Sequence, residues 1–270
     1  MMKRTLAVVL MVLTGTASIN VNAGTLDDLT VITPLDYSVR GEGLHGEVLA
    51  AVVALPRYSG SESASAVVLP LINISYNDAL YFNVRRLGYW LPWNADDGKV
   101  RFGLLSEQQR GFKASDGELL RGMATRKTAT EAGFNIAWDS PIGYLDVAYL
   151  NDVSNTHKGS VVKVMFSTKL IERGKLFIKG SGGYERMSQR AVTYYYGVRP
   201  NEVTAARAGY VSADSTIHTY FALDARYRIS KKWSIDGRLS NNKMGPEVQV
   251  SPIAEKTNVT VAYLAVGWHF

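Results

Sequence analysis

The sequence predicts an all-β fold, a transmembrane antiparallel up-and-down β-barrel of about twelve strands, with ten as the alternative count. Three observations carry this prediction: an export signal at the start of the chain, alternating strands along it, and an aromatic strand at its end. From Thr260 to Phe270, large apolar residues dominate one alternating row, and the other row mixes small, polar and aromatic side chains. Tilted strands of about ten residues cross a bilayer, and such alternation is typical of membrane barrels.

The first residues have the pattern of a secretory signal peptide. Lys3 and Arg4 precede an apolar run from Leu6 to Leu13, and small residues before Gly24 offer a cleavage site. The run is too short for a spanning helix, which needs about 20 apolar residues. We therefore expect residues 1–23 to be cleaved and residues 24–270 to form a single outer-membrane barrel domain. Losing two cations and no acid would lower the formal charge from +6 to +4.

Composition narrows the classes of function. The chain has no cysteine, so thiol catalysis and cysteine-ligated metals are excluded, and its four histidines show no metal-ligand spacing. We predict no catalytic, metal or cofactor site. Lysine and arginine are scattered along the chain without a basic helix, so nucleic acid is not an expected partner. The expected surroundings of the barrel are outer-membrane lipid and lipopolysaccharide.

Alternation and turn residues position the strands. They are predicted near residues 31–40, 44–55, 67–76, 80–89, 100–108, 128–138, 144–151, 162–170, 176–184, 217–229, 233–240 and 258–270. Short turns alternate with longer loops in the second half, as in barrels with short periplasmic turns. Placing the C-terminus in the periplasm makes 44–55 run towards the periplasm, which requires the strand near 31–40. If that segment is unstructured and one early strand is wrong, ten strands remain.

Two groups of aromatic residues are predicted at barrel rims. Trp90 to Trp93 has the pattern of an interfacial cluster, since aromatic residues anchor barrels at the membrane surface. Tyr194, Tyr195 and Tyr196 occur in the longest loop, 188–215. We interpret these tyrosines as part of the interface girdle, or alternatively as candidate loop contacts for a ligand.

The inward rows of the predicted strands carry charges of both signs. The candidate lumen charges are Glu131, Asp146, Lys163, Lys179, Asp224, Arg226, Arg228, Asp236 and Arg238. A barrel of this size has a narrow lumen that side chains can largely fill. The charges therefore predict either a packed, salt-bridged interior or a small polar pore or ligand pocket. Sequence does not show whether they pair across the lumen.

Two loops give the chain a family resemblance. Residues 56–61, Pro-Arg-Tyr-Ser-Gly-Ser, are followed by Val68-Leu-Pro70-Leu71. Residues 194–198, Tyr-Tyr-Tyr-Gly-Val, are followed by Ala205-Ala206-Arg207 and Ala208-Gly209-Tyr210. Both stretches and the C-terminal strand resemble the MipA/OmpV family of outer-membrane proteins. Arg199-Pro200 departs from the serine-rich version of the second loop, so no ligand role is transferred to it.

The resemblance implies a non-catalytic barrel. The name-giving member of the family is a scaffold that links a lytic transglycosylase to a penicillin-binding protein, and these are the protein partners implied here. The alternative function is a narrow channel or uptake protein for small polar solutes or antibiotics. A hydrolase is disfavoured because His218 and Asp224, which share a face, lie six residues apart on one strand, roughly 20 Å at about 3.3 Å per residue.

Overall fold

A computed structural model describes residues 41–96 and 99–270, which form a closed antiparallel barrel of twelve strands. The strands are β1 Leu44–Pro56, β2 Ala64–Tyr76, β3 Leu80–Asn83, β4 Arg86–Ala95, β5 Val100–Gln109, β6 Ala129–Ser140, β7 Gly143–Asp152, β8 Ser160–Arg173, β9 Leu176–Met187, β10 Thr216–Arg228, β11 Trp233–Lys243 and β12 Asn258–His269. The predicted fold class and the count of twelve are confirmed.

The twelve strands are not the twelve that the sequence predicts. The single strand predicted at 80–89 is wrong, because a turn at Val84 and Arg85 divides it into β3 and β4. Val84 adopts φ +50°, a left-handed conformation that β-branched residues rarely take. Because valine is not a typical turn residue, the sequence pattern does not indicate a turn here. The strand predicted near 31–40 lies outside the described residues. The barrel closes without it, since Glu47 of β1 pairs directly with His269 of β12.

This closure reverses the predicted direction of β1. The start of β1 lies at the same end of the barrel as the C-terminus, so β1 runs away from that end and not towards it. The turns 77–79, 141–142, 174–175 and 229–232 also lie at this end, which we call the short-turn end, as do Asp96 and Lys99 between β4 and β5. The loops 57–63, 110–128, 153–159, 188–215 and 244–257 lie at the opposite, long-loop end. Bacterial outer-membrane barrels have short turns on the periplasmic side, so we assign the short-turn end to the periplasm.

The outer surface of the barrel is apolar, as a bilayer requires. Val68, Leu264 and Phe221 are 69%, 65% and 73% exposed, and each lies on the outward row of its strand. Neighbouring inward positions are buried, which repeats the two-residue period of the sequence. Within the described ranges, no helix has the length and apolar character to cross a bilayer.

The wall of the barrel has a step at the β3–β4 hairpin. β3 has four residues and pairs only with Asn73 to Tyr76 of β2, whereas β2 begins at Ala64. In the part of the chain that the structure describes, no strand pairs with the other edge of 64–71. Pro70 lies in this stretch, and proline is suited to an edge because it has no N–H to donate.

Candidate functional site

A helix fills the lumen at the long-loop end. Helix α1, Gln189–Tyr196, follows β9 and buries Ala191 and Val192 against inward residues of the strands. These neighbours include Leu49 and Val53 of β1 and Val261 of β12. The second helix, α2 (Pro246–Gln249), buries Val248 in the same cluster. The half of the barrel at the long-loop end is thus a packed apolar core and not an aqueous passage.

The three predicted loop tyrosines belong to α1, so they lie on a helix that enters the barrel and not in an interface girdle. Tyr195 and Tyr196 are 4% and 6% exposed. The Tyr195 hydroxyl donates to the Gln109 carbonyl at 3.2 Å, and the Tyr196 hydroxyl lies 2.9 Å from Ser59 Oγ. The Tyr194 hydroxyl accepts from the Lys127 N–H at 2.8 Å. All three bind the helix to the barrel and its loops, because the helix folds inwards.

A buried arginine joins the two longest loops. Arg126, 2% exposed, donates through Nη1 and Nη2 to the two carboxylate oxygens of Glu202, at 2.8 and 2.7 Å. Its Nε also donates to the Tyr194 carbonyl at 2.8 Å, so every nitrogen of the guanidinium has a partner. The hydrogen bonds from Arg126 hold the pKa of Glu202 at about 2. This two-point charged contact fixes loop 110–128 against the end of α1.

The residues that carry the family resemblance lie in the same cap, by which we mean α1 and the packed loops 57–63, 110–128, 188–215 and 244–257 at the long-loop end. The Tyr58 hydroxyl donates to the Ile253 carbonyl at 3.1 Å, and Tyr58 packs with Phe112, Leu120 and Val198. Gly60 has φ +99° and its carbonyl accepts from the N–H groups of Glu255 and Lys256. Tyr210 forms a bridge with Val198 and donates to the Glu247 carbonyl at 2.5 Å. These positions hold the loops together over the barrel.

The half of the lumen nearer the short-turn end is a chamber of about 720 Å³. It opens at the short-turn end, where His45, Asp78, Lys175, Lys231 and Phe270 lie at its rim. Charged side chains from β1, β4, β5, β7, β8 and β10 line its interior. A chamber of this volume is within the usual range for small-molecule sites. The barrel is therefore filled at the long-loop end and hollow at the short-turn end.

Ion pairs span this chamber and its walls. Lys163 Nζ lies 2.5 Å from Glu107 Oε2 and 3.3 Å from Glu185 Oε2. Arg86 joins the same Glu107 to Asp146, at 2.6 and 2.9 Å. Because Glu107 is on β5 and Lys163 on β8, the pairing crosses several strands. The charges pair across the lumen, and open space remains beside them.

The other predicted lumen charges form three further groups. Arg226 contacts Asp236 and lies 2.5 Å from Glu47, and Arg238 lies 2.9 Å from Asp224, which faces Lys179 in the strand register. Glu131 is fully buried and contacts His157 at 3.0 Å. Arg228 differs from the rest, because it is exposed and lies at the rim of the chamber. Of the predicted lumen charges, four line the chamber: Asp146, Lys163, Arg226 and Arg228. The other five are not part of its lining: Glu131, Lys179, Asp224, Asp236 and Arg238.

The chamber also holds a cation, Arg101, that is not among the predicted lumen charges. Arg101 of β5 lies over the ring of Trp90, with its guanidinium carbon 4.4 Å from the ring centroid. Tyr81 stacks on Trp90 at 5.3 Å between centroids. Trp90 therefore points into the barrel, and its prediction as an interfacial residue is wrong, whereas Trp93 is 69% exposed on the outer surface. Arg101 and Glu107 share one alternating row of β5, which is the signal that could have found both residues.

The chemistry of the site points to binding. Across residues 41–96 and 99–270, no group of three or more His, Asp or Glu side chains is arranged to hold a metal ion. His218 Nδ1 accepts from the Gly245 N–H at 3.2 Å, and Asp224 binds Arg238, so these two side chains are engaged separately. The chamber offers paired charges, aromatic rings and a basic rim.

Comparison with known proteins gives a consistent relationship. The family model described as MltA-interacting protein MipA matches residues 48–270. Outer membrane protein Omp26La of Vibrio anguillarum is 28% identical over 152 residues, which cover 56% of this chain and 58% of that protein. The MltA-interacting protein of Escherichia coli is 28% identical over 192 residues, 70% of this chain and 75% of its own. The match thus spans little more than half of the first relative.

A solved barrel is also similar in outline. OmpT, an outer membrane protein of Vibrio cholerae, aligns with 87% of this chain and 100% of its own at a TM-score of 0.37 and 9% identity. The family match and the relatives agree with the barrel and with an outer-membrane location. The two relatives are named as an outer membrane protein and as an MltA-interacting protein. This chain is an outer-membrane β-barrel that belongs to the MltA-interacting protein MipA family.

Proposed function

We propose that the protein is a non-catalytic scaffold that docks peptidoglycan-remodelling enzymes at its short-turn end. The proposed partners are a lytic transglycosylase and, through it, a penicillin-binding protein. The observation that carries this proposal is the asymmetry of the barrel. Helix α1 and the joined loops fill the long-loop end, whereas the short-turn end presents the chamber rim and the turns towards the periplasm.

A relative supports the class of partner. The Escherichia coli protein is named for its interaction with MltA, and its match covers 70% of this chain. The short-turn end also exposes side chains suited to contact: Ile142 is 71% exposed, and Lys231 and Lys232 are exposed beside the chamber. Exposed apolar side chains form the buried cores of protein interfaces, and charged side chains lie at their polar rims.

The narrow-channel hypothesis is the alternative, and the charged chamber favours it. Continuous passage would require α1 to leave the barrel and expose the buried Ala191, Val192 and Tyr195. A scaffold needs no such rearrangement. The two hypotheses therefore differ in a measurable property, namely whether the purified barrel conducts ions in a bilayer.

The test begins with capture of the tagged protein from crosslinked envelopes and identification of the proteins bound to it. We expect enrichment of a lytic transglycosylase and a penicillin-binding protein. A triple variant at the short-turn end, Ile142→Ser with Lys231→Ser and Lys232→Ser, should lose both enzymes. The matched control, Val211→Ser with Arg121→Ser at the long-loop end, should retain both, because those exposed residues face the opposite side.

Recovery of only lipopolysaccharide and bulk porins would contradict the scaffold. Equal capture by the two variants would contradict the assigned face. Single-channel recording then separates the alternatives: a silent bilayer contradicts the channel, and discrete conductance that changes in Arg226→Gln supports it.

A further inference from the structure

The chamber contains an arginine, Arg101, that has a hydrogen-bond donor without a partner. The Arg101 side chain is 14% exposed, and its Nε is buried without a hydrogen-bond partner among the described residues. The acid beside it, Asp78, lies 3.7 Å from Nη1, which is too long for a hydrogen bond. Buried polar atoms almost always have a partner, either protein or solvent. Arg101 is therefore prepared to bind a group that enters the chamber.

The surroundings of Arg101 fix its position. Trp90 supports the guanidinium from one face, and Tyr81 supports Trp90 in turn. A planar guanidinium stacked on an aromatic ring keeps its edge available and loses little freedom when it binds. By contrast, Arg86 and Lys163 in the same chamber each contact two carboxylates. Their charge is already neutralised, whereas that of Arg101 is only weakly compensated.

The rim opposite adds positive charge. Lys175 and Lys231 lie on neighbouring short turns that line the chamber, and no acidic partner for either occurs in the described ranges. The Arg228 N–H donates to the Lys175 carbonyl, which joins these turns. Among the lining side chains, arginines and lysines outnumber the aspartates and glutamates. The positive charge at the rim attracts an entering anion, and inside the chamber the anion reaches the N–H donors of the Arg101 guanidinium.

From this geometry we infer that the chamber binds a small, polar anion from the periplasm, with a carboxylate or phosphate group on the Arg101 guanidinium. Carboxylates and phosphates match the two parallel N–H groups of arginine. The chamber volume of about 720 Å³ leaves room for a ligand larger than the anionic group itself, such as an acidic sugar. The inference does not rest on the scaffold proposal: the two share only the rim residue Lys231, and the Arg101 site lies inside the barrel.

Titration calorimetry on the full chain in detergent tests the inference. The probes are digalacturonate, glucose 6-phosphate and the neutral sugar cellobiose, so the first two separate a carboxylate ligand from a phosphate ligand. We expect at least one anion to bind ten-fold or more tightly than cellobiose. Arg101→Gln should weaken that binding ten-fold or more, and Arg121→Gln, a 77% exposed arginine at the long-loop end, should not. No preference for an anion, or unchanged binding by Arg101→Gln, overturns the inference.

A second measurement does not depend on choosing the right ligand. The chain has no cysteine, so Ser75→Cys places a single thiol in the chamber lining. An anionic methanethiosulfonate reagent should modify this thiol several-fold faster, relative to a cationic one, than it modifies the exposed Ser63→Cys control. Adding Arg101→Gln should reduce the ratio, and Arg101→Lys should retain it while losing tight anion binding. A ratio unaffected by Arg101→Gln in a protein with the native circular dichroism spectrum overturns the inference.

Discussion

Arg126 and Glu202 lie 76 positions apart in the sequence, yet their side chains form a buried two-point ion pair between the two longest loops. The pair is the centre of the cap, because Arg126 also donates to the Tyr194 and Gly197 carbonyls, and Arg207 donates to the Glu202 carbonyl. Closure of the long-loop end thus depends on a specific polar contact as well as on the packing of α1.

Acid should weaken the cap. The pKa of Glu202 is about 2 in the folded protein against an ordinary value of 4.5, so the carboxylate stabilises the fold above pH 4.5. This contribution, about 3 kcal/mol by linkage, is lost as the pH falls from 4.5 towards 2. Thermal unfolding should show a larger decrease in this window for the wild type than for Glu202→Gln, which has no group to titrate. Parallel pH profiles would contradict the prediction.

Removing one partner should cost more than removing both. Glu202→Gln leaves the Arg126 guanidinium buried without its counter-charge, and we expect a loss of about 3–5 kcal/mol in the free energy of unfolding. The double variant Arg126→Met with Glu202→Leu should recover part of this loss, because no buried charge remains. Urea unfolding in lipid vesicles measures both variants. A double variant less stable than Glu202→Gln would show that the polar network around Arg126 matters more than its charge.

The chamber has its own ion-pair centre at Glu107. Glu107→Gln leaves Lys163 and Arg86 with one carboxylate each in the chamber, Glu185 and Asp146, and the lost contacts should destabilise the barrel by about 1–3 kcal/mol. Glu118→Gln is the matched control, since that carboxylate is 81% exposed and its contact with Arg121 is worth little. Equal unfolding midpoints for the two variants would rule out a stabilising role for Glu107.

Conductance should respond to the cap and not to the chamber alone. We expect the wild type to be silent in planar bilayers, because α1 fills the lumen. Arg126→Ala removes four hydrogen bonds to Tyr194, Gly197 and Glu202 and should allow transient openings. Arg121→Ala is the control on the same loop. Steady conductance by the wild type would contradict the closed barrel.

Close packing of the strands predicts which glycines tolerate a methyl group. A Cβ at Gly133 would lie 1.8 Å from the Tyr149 carbonyl oxygen, whereas the nearest atom to one at Gly237 is 3.7 Å away. Gly133→Ala should therefore cost about 1–3 kcal/mol through displaced strands, and Gly237→Ala should be nearly neutral. Urea unfolding of the two variants checks the difference, and similar losses would contradict it.

Several features of the barrel followed from residue order alone. Side chains alternate sides along a strand, so the two-residue period in 217–229 or 258–270 assigns faces without knowledge of the partner strands. The inward charges Asp146, Lys163 and Arg226 were predicted for this reason. The same rule failed at Val84, because a turn formed by a β-branched residue leaves no compositional trace.

The direction of β1 and the closure of the barrel do not follow from the pattern within one strand, because they depend on which strands are neighbours. The predicted direction of β1 required an additional strand near 31–40. In the structure β1 pairs with β12, and the division of 80–89 restores an even number of strands. The count of twelve is confirmed, but β1 runs in the direction opposite to the predicted one.

The sequence by itself determined the barrel, its apolar outer face and a charged lumen, since each follows from local alternation under the constraint of a bilayer. Only the tertiary structure decided which charges meet, that Tyr194 to Tyr196 lie on a helix inside the barrel, and that Arg101 stacks on Trp90. These contacts join residues distant in the chain, such as Lys163 with Glu107 and Arg126 with Glu202. Strand register and loop packing bring them together, and neither is encoded in the pattern of any single segment.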